Sequence, residues 1–260
     1  MTQPAVSPKQ DRQDRLATLI FSRGTVRVEE LQDEMGVSAM TLYRDLAELE
    51  ARRVITRSRG EVTAAASSLS ETSFAFRLGQ EASAKKLLAP LAADLVSRGD
   101  SLFIDDSTTA HFTLEEALPK GSITVVTNCQ GPASLVMERP DAELIMVGGR
   151  FLRQLQAFYG PSAVSALASV RVDIAFLGAA AIQGGIVFHP YEDVATFKRF
   201  AQTRARTSVL VVTASKFNRS ALYEVSPLAG FDVIITDQPA DDPQLAAAAE
   251  AGAKVITPKG

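Results

Sequence analysis

Hydroxyl, glycine, amide and lysine residues gather at one recurring place in this chain, just past short apolar runs. Asp105-Asp106-Ser107-Thr108-Thr109 follows one such run and opens a helical stretch. Small hydroxyl residues at a helix start offer O–H donors and backbone N–H groups to an anion. Thr127-Asn128, Gly148-Gly149, Gly178 and Ser215-Lys216 follow four other runs, and Lys198 lies in a helical stretch that can turn a cation toward the same rim. With Glu192 these residues read as a receiver for a phosphorylated ligand. A dianion needs donors and cations, so Thr108, Thr109 and Lys216 or Lys198 would take the phosphate, while Asp105 would accept a sugar hydroxyl or hold the loop. Each piece alone has a plain reading as a cap, a turn or a solvated lysine. The segment from Phe188 to Asp193 is polar enough to read sugar hydroxyls, or is simply a loop and a cap.

A second chemistry sits near the N-terminus. From Val28 to Leu49 the pattern is helix, sharp turn, helix, with Gly36 at the turn and Ser38 as N-cap. Leu42, Leu46 and Leu49 form the buried stripe of the second helix, which leaves Ala39, Met40, Thr41, Tyr43, Arg44 and Asp45 outward. Such a helix suits a DNA major groove, with Ser38, Met40, Thr41, Tyr43 and Arg44 as contacts. Arg52 to Gly60 reads as two short strands around a basic turn, and its Arg57 and Arg59 would hold phosphates.

These residues need elements to position them. Seven strand-like runs are expected at Ser101–Asp105, Ile123–Thr127, Leu144–Val147, Ile174–Leu177, Val209–Thr213, Val233–Thr236 and Val255–Thr257. Helical stretches fall between most of them: Glu81–Ser97, Thr109–Leu118, Pro132–Glu138, Ala163–Ser169, Asp193–Arg206 and Gln244–Glu250. Short strands that are apolar on both faces, alternating with helices, predict an α/β domain with a mostly parallel sheet covered by helices. Ligands gather at the carboxyl ends of such strands, which is where the polar set falls. Ahead of it, a helix over Asp11–Arg23 and an extended Thr25–Arg27 complete a small α+β winged helix-turn-helix domain. The expected divisions are 9–62 for that domain, 63–73 for a small, polar linker and 74–260 for the α/β domain. Residues 1–8 are expected to be disordered.

Composition excludes several classes. The chain has 260 residues, a net charge of −3 and a pI near 5.5, so it is not a globally basic nucleic-acid binder. Up to Thr63 there are ten basic and ten acidic residues, with the positive charge clustered in Arg44 and Arg52 to Arg59. A local patch suffices, because phosphate contacts act over about 10 Å in moderate salt. Cys129 is the single cysteine, so no intrachain disulfide forms, which suits a cytoplasmic protein. No apolar run approaches the roughly 20 residues of a membrane span, and the first fifteen residues carry no signal-peptide core. His111, His189 and Cys129 lack metal-ligand spacing, so no metal and no cofactor are expected.

The pattern Ser38-Ala39-Met40-Thr41-Leu42-Tyr43-Arg44-Asp45-Leu46, with Leu49-Glu50 and Arg57-Ser58-Arg59-Gly60, resembles the signature of DeoR-type transcriptional regulators. That signature runs roughly V-S-x-x-T-I-R-R-D-L…L-E…R-x-H-G-G; here Tyr43 replaces an arginine, and Arg59 and Glu61 replace the His and the last Gly. The resemblance extends over about residues 10 to 240. Gly99-Asp100 to Asp105 is similar to G-D-x-I-F-L-D, Asp105 to Ala110 to D-x-G-T-T-T, Thr127-Asn128 to T-N, Ser215-Lys216 to S-K, and Ile234 to Asp237 to I-I-T-D. It implies a fold kinship with ribose-5-phosphate isomerase and a sensor of a phosphorylated sugar or polyol. The implied partners are double-stranded operator DNA, that effector, and further copies of the chain in a dimer or tetramer, with no membrane. The rival reading is a sugar-phosphate isomerase, in which Asp105, Asp106 or Glu192 with Lys198 or Lys216 would serve as acid and base.

Overall fold

A computed structural model describes residues 8–51, 54–64 and 72–258. The expectations placed on residues 1–7, on Arg52 and Arg53, and on 65–71 of the linker lie outside the described residues. The chain divides into two compact units, 1–80 and 81–260.

The first unit contains α1 (Pro8–Arg23), β1 (Thr25–Arg27), α2 (Val28–Met35), α3 (Ala39–Ala51), β2 (Ile55–Ser58), β3 (Glu61–Ala64) and α4 (Phe74–Gly79). Its antiparallel sheet has the order β1-β3-β2. Gly36 ends α2 at φ 62° and ψ 30°, a conformation cheap only without a Cβ, and its N–H reaches Gln32 O at 3.1 Å. The Ser38 hydroxyl accepts the Thr41 N–H at 3.3 Å and so caps α3. Leu16 and Ile20 of α1, Leu31 of α2 and Leu42, Leu46 and Leu49 of α3 bury together over Val26, Ile55 and Val62 of the sheet. Between β2 and β3 the chain turns through Arg59 (φ 50°) and Gly60 (φ 81°), two positive φ values whose twist suits a two-residue hairpin.

Two findings refine the sequence expectations for this unit. Asp45, placed outward by helical spacing, is buried: it accepts Arg12 Nε at 2.6 Å, Arg12 Nη2 at 3.1 Å and Gln13 Nε2 at 3.1 Å. Burial raises its carboxyl, but Arg12 and Gln13 outweigh burial and hold it below its ordinary value, so Asp45 ties α1 to α3. The second finding is α4, where Phe76 is buried in the core of the N-terminal unit. The contact division therefore falls after Gln80, six residues beyond Phe74.

The second unit begins with α5 (Ala82–Ala93), β4 (Ser101–Ile104), α6 (Thr108–Ala117), β5 (Thr124–Thr127), α7 (Gln130–Met137) and β6 (Glu143–Met146). Next come β7 (Arg150–Leu152), β8 (Ala157–Tyr159), α8 (Pro161–Ala168), β9 (Val172–Leu177), β10 (Ala181–Gln183) and β11 (Ile186–His189). It closes with α9 (Glu192–Thr203), β12 (Ala205–Val212), β13 (Tyr223–Pro227), β14 (Val233–Thr236), α10 (Pro243–Glu250) and β15 (Lys254–Ile256). The seven apolar runs of the sequence form one parallel sheet, β15-β14-β12-β9-β4-β5-β6. Leu102, Ile104, Val125, Phe176, Val209, Val211 and Ile235 bury in a common core with α5 and α6 residues. A hairpin of β7 and β8 and an antiparallel β10-β11-β13 sheet lie outside that pattern.

The strand order fixes where a ligand can bind. From β4 the chain moves outward through β5 to β6, then returns to β9 on the other side of β4 and moves outward again through β12, β14 and β15. The connections therefore diverge between β4 and β9, and the carboxyl ends of two such strands leave a crevice. Ile104 pairs with Phe176, so Asp105 and Gly178 emerge side by side at its mouth.

Candidate functional site

The crevice is built around Asp105. Its Oδ1 accepts the Ser107 N–H at 2.8 Å, and its Oδ2 accepts the Gly178 N–H at 2.9 Å and a very short bond from Lys198 Nζ. Lys198 comes from α9 and also pairs with Asp106 Oδ1 at 2.8 Å. All three charged groups are buried, at 1 %, 2 % and 3 % exposure for Asp105, Asp106 and Lys198. Burial raises the Asp105 carboxyl, and the Lys198 charge, although it outweighs the repulsion from Asp106, does not cancel the effect of burial. Burial alone would lower Lys198, but the two carboxylates outweigh it and hold the ammonium above its ordinary value. Asp105 thus holds the loop, which was one of its two expected roles. Lys198 is enclosed between carboxylates rather than extended toward the rim, because two buried anions next to each other require a cation.

Ser107 closes the crevice against Gly178. Its hydroxyl accepts the Thr109 and Ala110 N–H groups at 3.1 and 3.3 Å and caps α6. A Cβ on Gly178 would lie 2.1 Å from that Oγ, so only glycine fits there. Thr108 and Thr109 are both buried at the head of α6. The amides of Ser107, Thr109 and Ala110 are satisfied within the loop, so the loop's anion capacity is smaller than its composition suggests.

Beside it, the Thr127 hydroxyl donates to Ile104 O at 2.7 Å and accepts the Cys129 N–H at 3.0 Å, joining the ends of β4 and β5. Asn128 Nδ2 donates to Phe158 O at 2.9 Å, and the buried Tyr159 hydroxyl lies beside the Asn128 side chain. Burial, then Asp106 and Asp105, hold the Tyr159 phenol well above its ordinary range. Tyr159 and Asp106 carry the environment of this crevice, and sequence spacing gave Tyr159 no signal because β8 belongs to a hairpin outside the main sheet. Gly149 packs on Tyr159, where a Cβ would meet Tyr159 O at 2.7 Å; Gly148 has open space beside it. Glu192 is exposed in the first turn of α9. His189 ends β11, where its Nδ1 accepts the Tyr191 N–H at 3.1 Å.

A polar corner lies at the ends of β12 and β14. Asp237 Oδ1 accepts the Ala214 N–H at 2.6 Å and shapes the turn that carries Ser215 and Lys216. The hydroxyls of Thr213 and Ser215 both donate to Glu81 Oε2, at 2.9 and 2.7 Å. Neither Glu81 nor Thr213 was a sequence candidate, since nothing local marks two residues 132 positions apart as neighbours.

In the first unit, α3 presents Met40, Tyr43 and Arg44 to solvent, with Met40 83 % and Tyr43 51 % exposed. Ser38 is exposed and Thr41 half-buried at the start of the same helix. Arg59 is exposed at the hairpin tip. Arg57 donates Nε and Nη2 to Glu50 Oε2 at 2.8 and 2.6 Å, which fixes its guanidinium against α3. Tyr43, Arg57 and Arg59 line an open groove of about 280 Å³ between helix and hairpin.

The chain matches the family description "DeoR-like helix-turn-helix domain" over residues 12–68 and "DeoR C terminal sensor domain" over residues 80–238. It is 31 % identical over 227 residues to an uncharacterized HTH-type transcriptional regulator, YgbI, of Escherichia coli strain K12, covering 87 % of this chain and 89 % of that one. It is 29 % identical over 230 residues to the glycerol-3-phosphate regulon repressor of the same strain, covering 88 % and 90 %. Among solved structures it is similar to ribose 5-phosphate isomerase A from Methanocaldococcus jannaschii, at 18 % identity and a TM-score of 0.38 over 51 % of this chain and 53 % of that one. At that TM-score the likeness bears on neither ligand nor activity.

Proposed function

The chain belongs to the DeoR family of transcriptional regulators, and from that premise we propose that it is a sequence-specific DNA-binding repressor of carbohydrate metabolism controlled by a phosphorylated sugar or polyol. The observation that carries this reading is the α3 face. Met40 and Tyr43 stand uncovered on a short helix, with Arg44 beside them and the Arg57–Arg59 hairpin flanking them. Large side chains left in water beside a basic ribbon suit a major groove, where Tyr43 and Arg44 meet base edges and Met40 meets apolar edges such as a thymine methyl. Arg57, oriented by Glu50, and Arg59 at the tip then take phosphates. One such unit contacts few bases, so at least a dimer reads paired half-sites. The protein acts in the cytoplasm, where its operator is; no helix among the described residues is long and apolar enough to cross a membrane.

The effector is received at the crevice between β4 and β9 and the neighbouring corner of β12. Asp105 and Asp106 leave one net negative charge against Lys198, a setting that favours hydroxyl donors over phosphate. Asn128 and Tyr159 add polar atoms beside it. The phosphate is better placed at Lys216, with the hydroxyls of Thr213 and Ser215. The ligand controls DNA binding only through a difference in its affinity for two arrangements of the protein.

Substitutions in the first unit test the DNA reading. Arg44→Ala is expected to weaken binding to a preferred duplex by about tenfold and to blur sequence preference. Arg59→Ala is expected to weaken all duplexes alike and to lower the salt slope of log K by about one. Fluorescence anisotropy on a preferred and a scrambled duplex, across a salt series, measures both. An Arg59→Ala protein with altered preference and an unchanged salt slope contradicts the assignment.

A further inference from the structure

Glu81 is the first residue of the second unit and the N-cap of α5, yet its side chain makes no capping bond. Its carboxylate instead reaches the corner at the end of β12, where Thr213 and Ser215 both donate to Oε2. To do so its backbone sits at φ 52° and ψ 32°, a left-handed conformation that a glutamate adopts at a cost. Two lysines face the same carboxylate, Lys216 from the turn and Lys85 one turn along α5. Burial raises the Glu81 carboxyl, but Ser215, Lys216, Thr213 and Lys85 together outweigh burial and hold it ionised below its ordinary value. Two hydroxyl donors on one oxygen, with two cations acting on the same carboxylate, make an anion site, and here the anion is supplied by the chain itself.

We propose that Glu81 is an internal competitor for the phosphate of the effector, occupying the Thr213–Ser215–Lys216 corner until a phosphorylated ligand displaces it. The proposal rests on the reading of this rim as a receiver of phosphorylated ligands. A phosphate carries up to two negative charges and three acceptor oxygens, so it gains more from two lysines and two hydroxyls than a single carboxylate does. Displacement also frees residue 81 from its left-handed backbone, so part of the cost of evicting the carboxylate is returned. The competitor sets a threshold: weak anions leave Glu81 in place, and a ligand also held at the Asp105 crevice removes it. The residue that moves is joined directly to Gln80, the last residue of the DNA-contacting unit.

Calorimetric titration of the full chain with inorganic phosphate tests this. Glu81→Gln removes the charge, and Glu81→Gly removes the side chain while tolerating the left-handed backbone. Both are expected to bind phosphate at least fivefold more tightly than the parent, and Lys216→Ala added to Glu81→Gln is expected to cancel the gain. Equal or weaker phosphate binding by both Glu81 variants overturns the proposal. So does a gain that survives Lys216→Ala, because the anion then sits elsewhere. A panel of phosphorylated sugars and polyols on the parent protein separates the two levels. A panel member that binds the parent and gains nothing in either Glu81 variant overturns the competitor and leaves the sensor standing. A gain for inorganic phosphate with no panel member bound keeps the competitor and removes the phosphorylated-sugar reading.

Discussion

Replacing Lys198 with methionine is expected to destabilise the second unit by about 3–5 kcal/mol at neutral pH, the usual cost of removing one partner from a buried ion cluster. The two chains differ little in volume there, so packing is nearly kept and the effect isolates charge. Without the ammonium, Asp105 and Asp106 face each other in a site where both are almost fully buried. The carboxyls then respond by holding a proton. A carboxyl whose folded value lies above its unfolded value makes the folded state bind the extra proton, so stability falls as pH rises through the folded value. The carboxyl contribution is therefore fully present below the ordinary value of 3.8 and is lost as pH rises through the folded value, further in the variant than in the parent, where burial already raises Asp105 but Lys198 opposes it. In the parent, Lys198 works in the other range. Its raised value gives stability that is fully present below 10.5 and is lost only as pH climbs through the folded value. The difference in melting temperature between parent and variant should thus widen from pH 5 to pH 8. A difference that is absent, or equal at both pH values, would contradict the buried triad.

Gly178→Ala is expected to abolish effector binding, at least a tenfold loss, and to destabilise the second unit by about 1–3 kcal/mol, as overpacking in a filled core does. The reason is space and not backbone freedom. A methyl at residue 178 would stand 2.1 Å from Ser107 Oγ and 2.3 Å from Ser107 Cβ, so the head of α6 must move. That movement breaks the Ser107 cap over Thr109 and Ala110 and pulls on the Gly178 N–H bond to Asp105. The crevice between β4 and β9 loses its shape while α3 and its hairpin are untouched. DNA affinity without effector should stay within twofold of the parent, whereas the effector response should vanish. Crystal structures or thermal shifts with a phosphorylated panel read the first effect, and anisotropy reads the second. A Gly178→Ala protein that binds its effector normally would mean that the crevice is not the receiving site.

The legible part of this molecule was the part that repeats a period. Seven apolar runs alternating with helical stretches indicate strands of a parallel sheet, and all seven took their places in it, although the edge strand β6 leaves Ile145 and Met146 exposed. The helix-turn-helix was equally plain, because Gly36, Ser38 and the Leu42–Leu46–Leu49 stripe carry local geometry in their types. Strand ends followed from the sheet, so Asp105, Ser107, Gly178 and Lys216 were reachable from sequence. Their partners were not. Arg12 on Asp45, Glu50 on Arg57, and Glu81 on Thr213 are long-range or short-strand contacts with no periodic trace. Lys198 shows the difference: its presence near the rim was readable, but its enclosure between two carboxylates depends on how α9 packs against β9 and β12. The β7–β8 hairpin was missed for a related reason, since strands of three residues are too short to show alternation.

One measurement addresses the central claim directly. The full chain selects duplexes from a random pool, and the preferred duplex is titrated by anisotropy with and without each of a panel of phosphorylated sugars and polyols, each paired with its unphosphorylated form. The account predicts an enriched, two-fold symmetric sequence whose affinity shifts about fivefold or more with one phosphorylated compound, the lower range of ordinary coupling between sites, and does not shift with its unphosphorylated counterpart. A pool with no enriched sequence, or an equal response to both forms of the ligand, would contradict it.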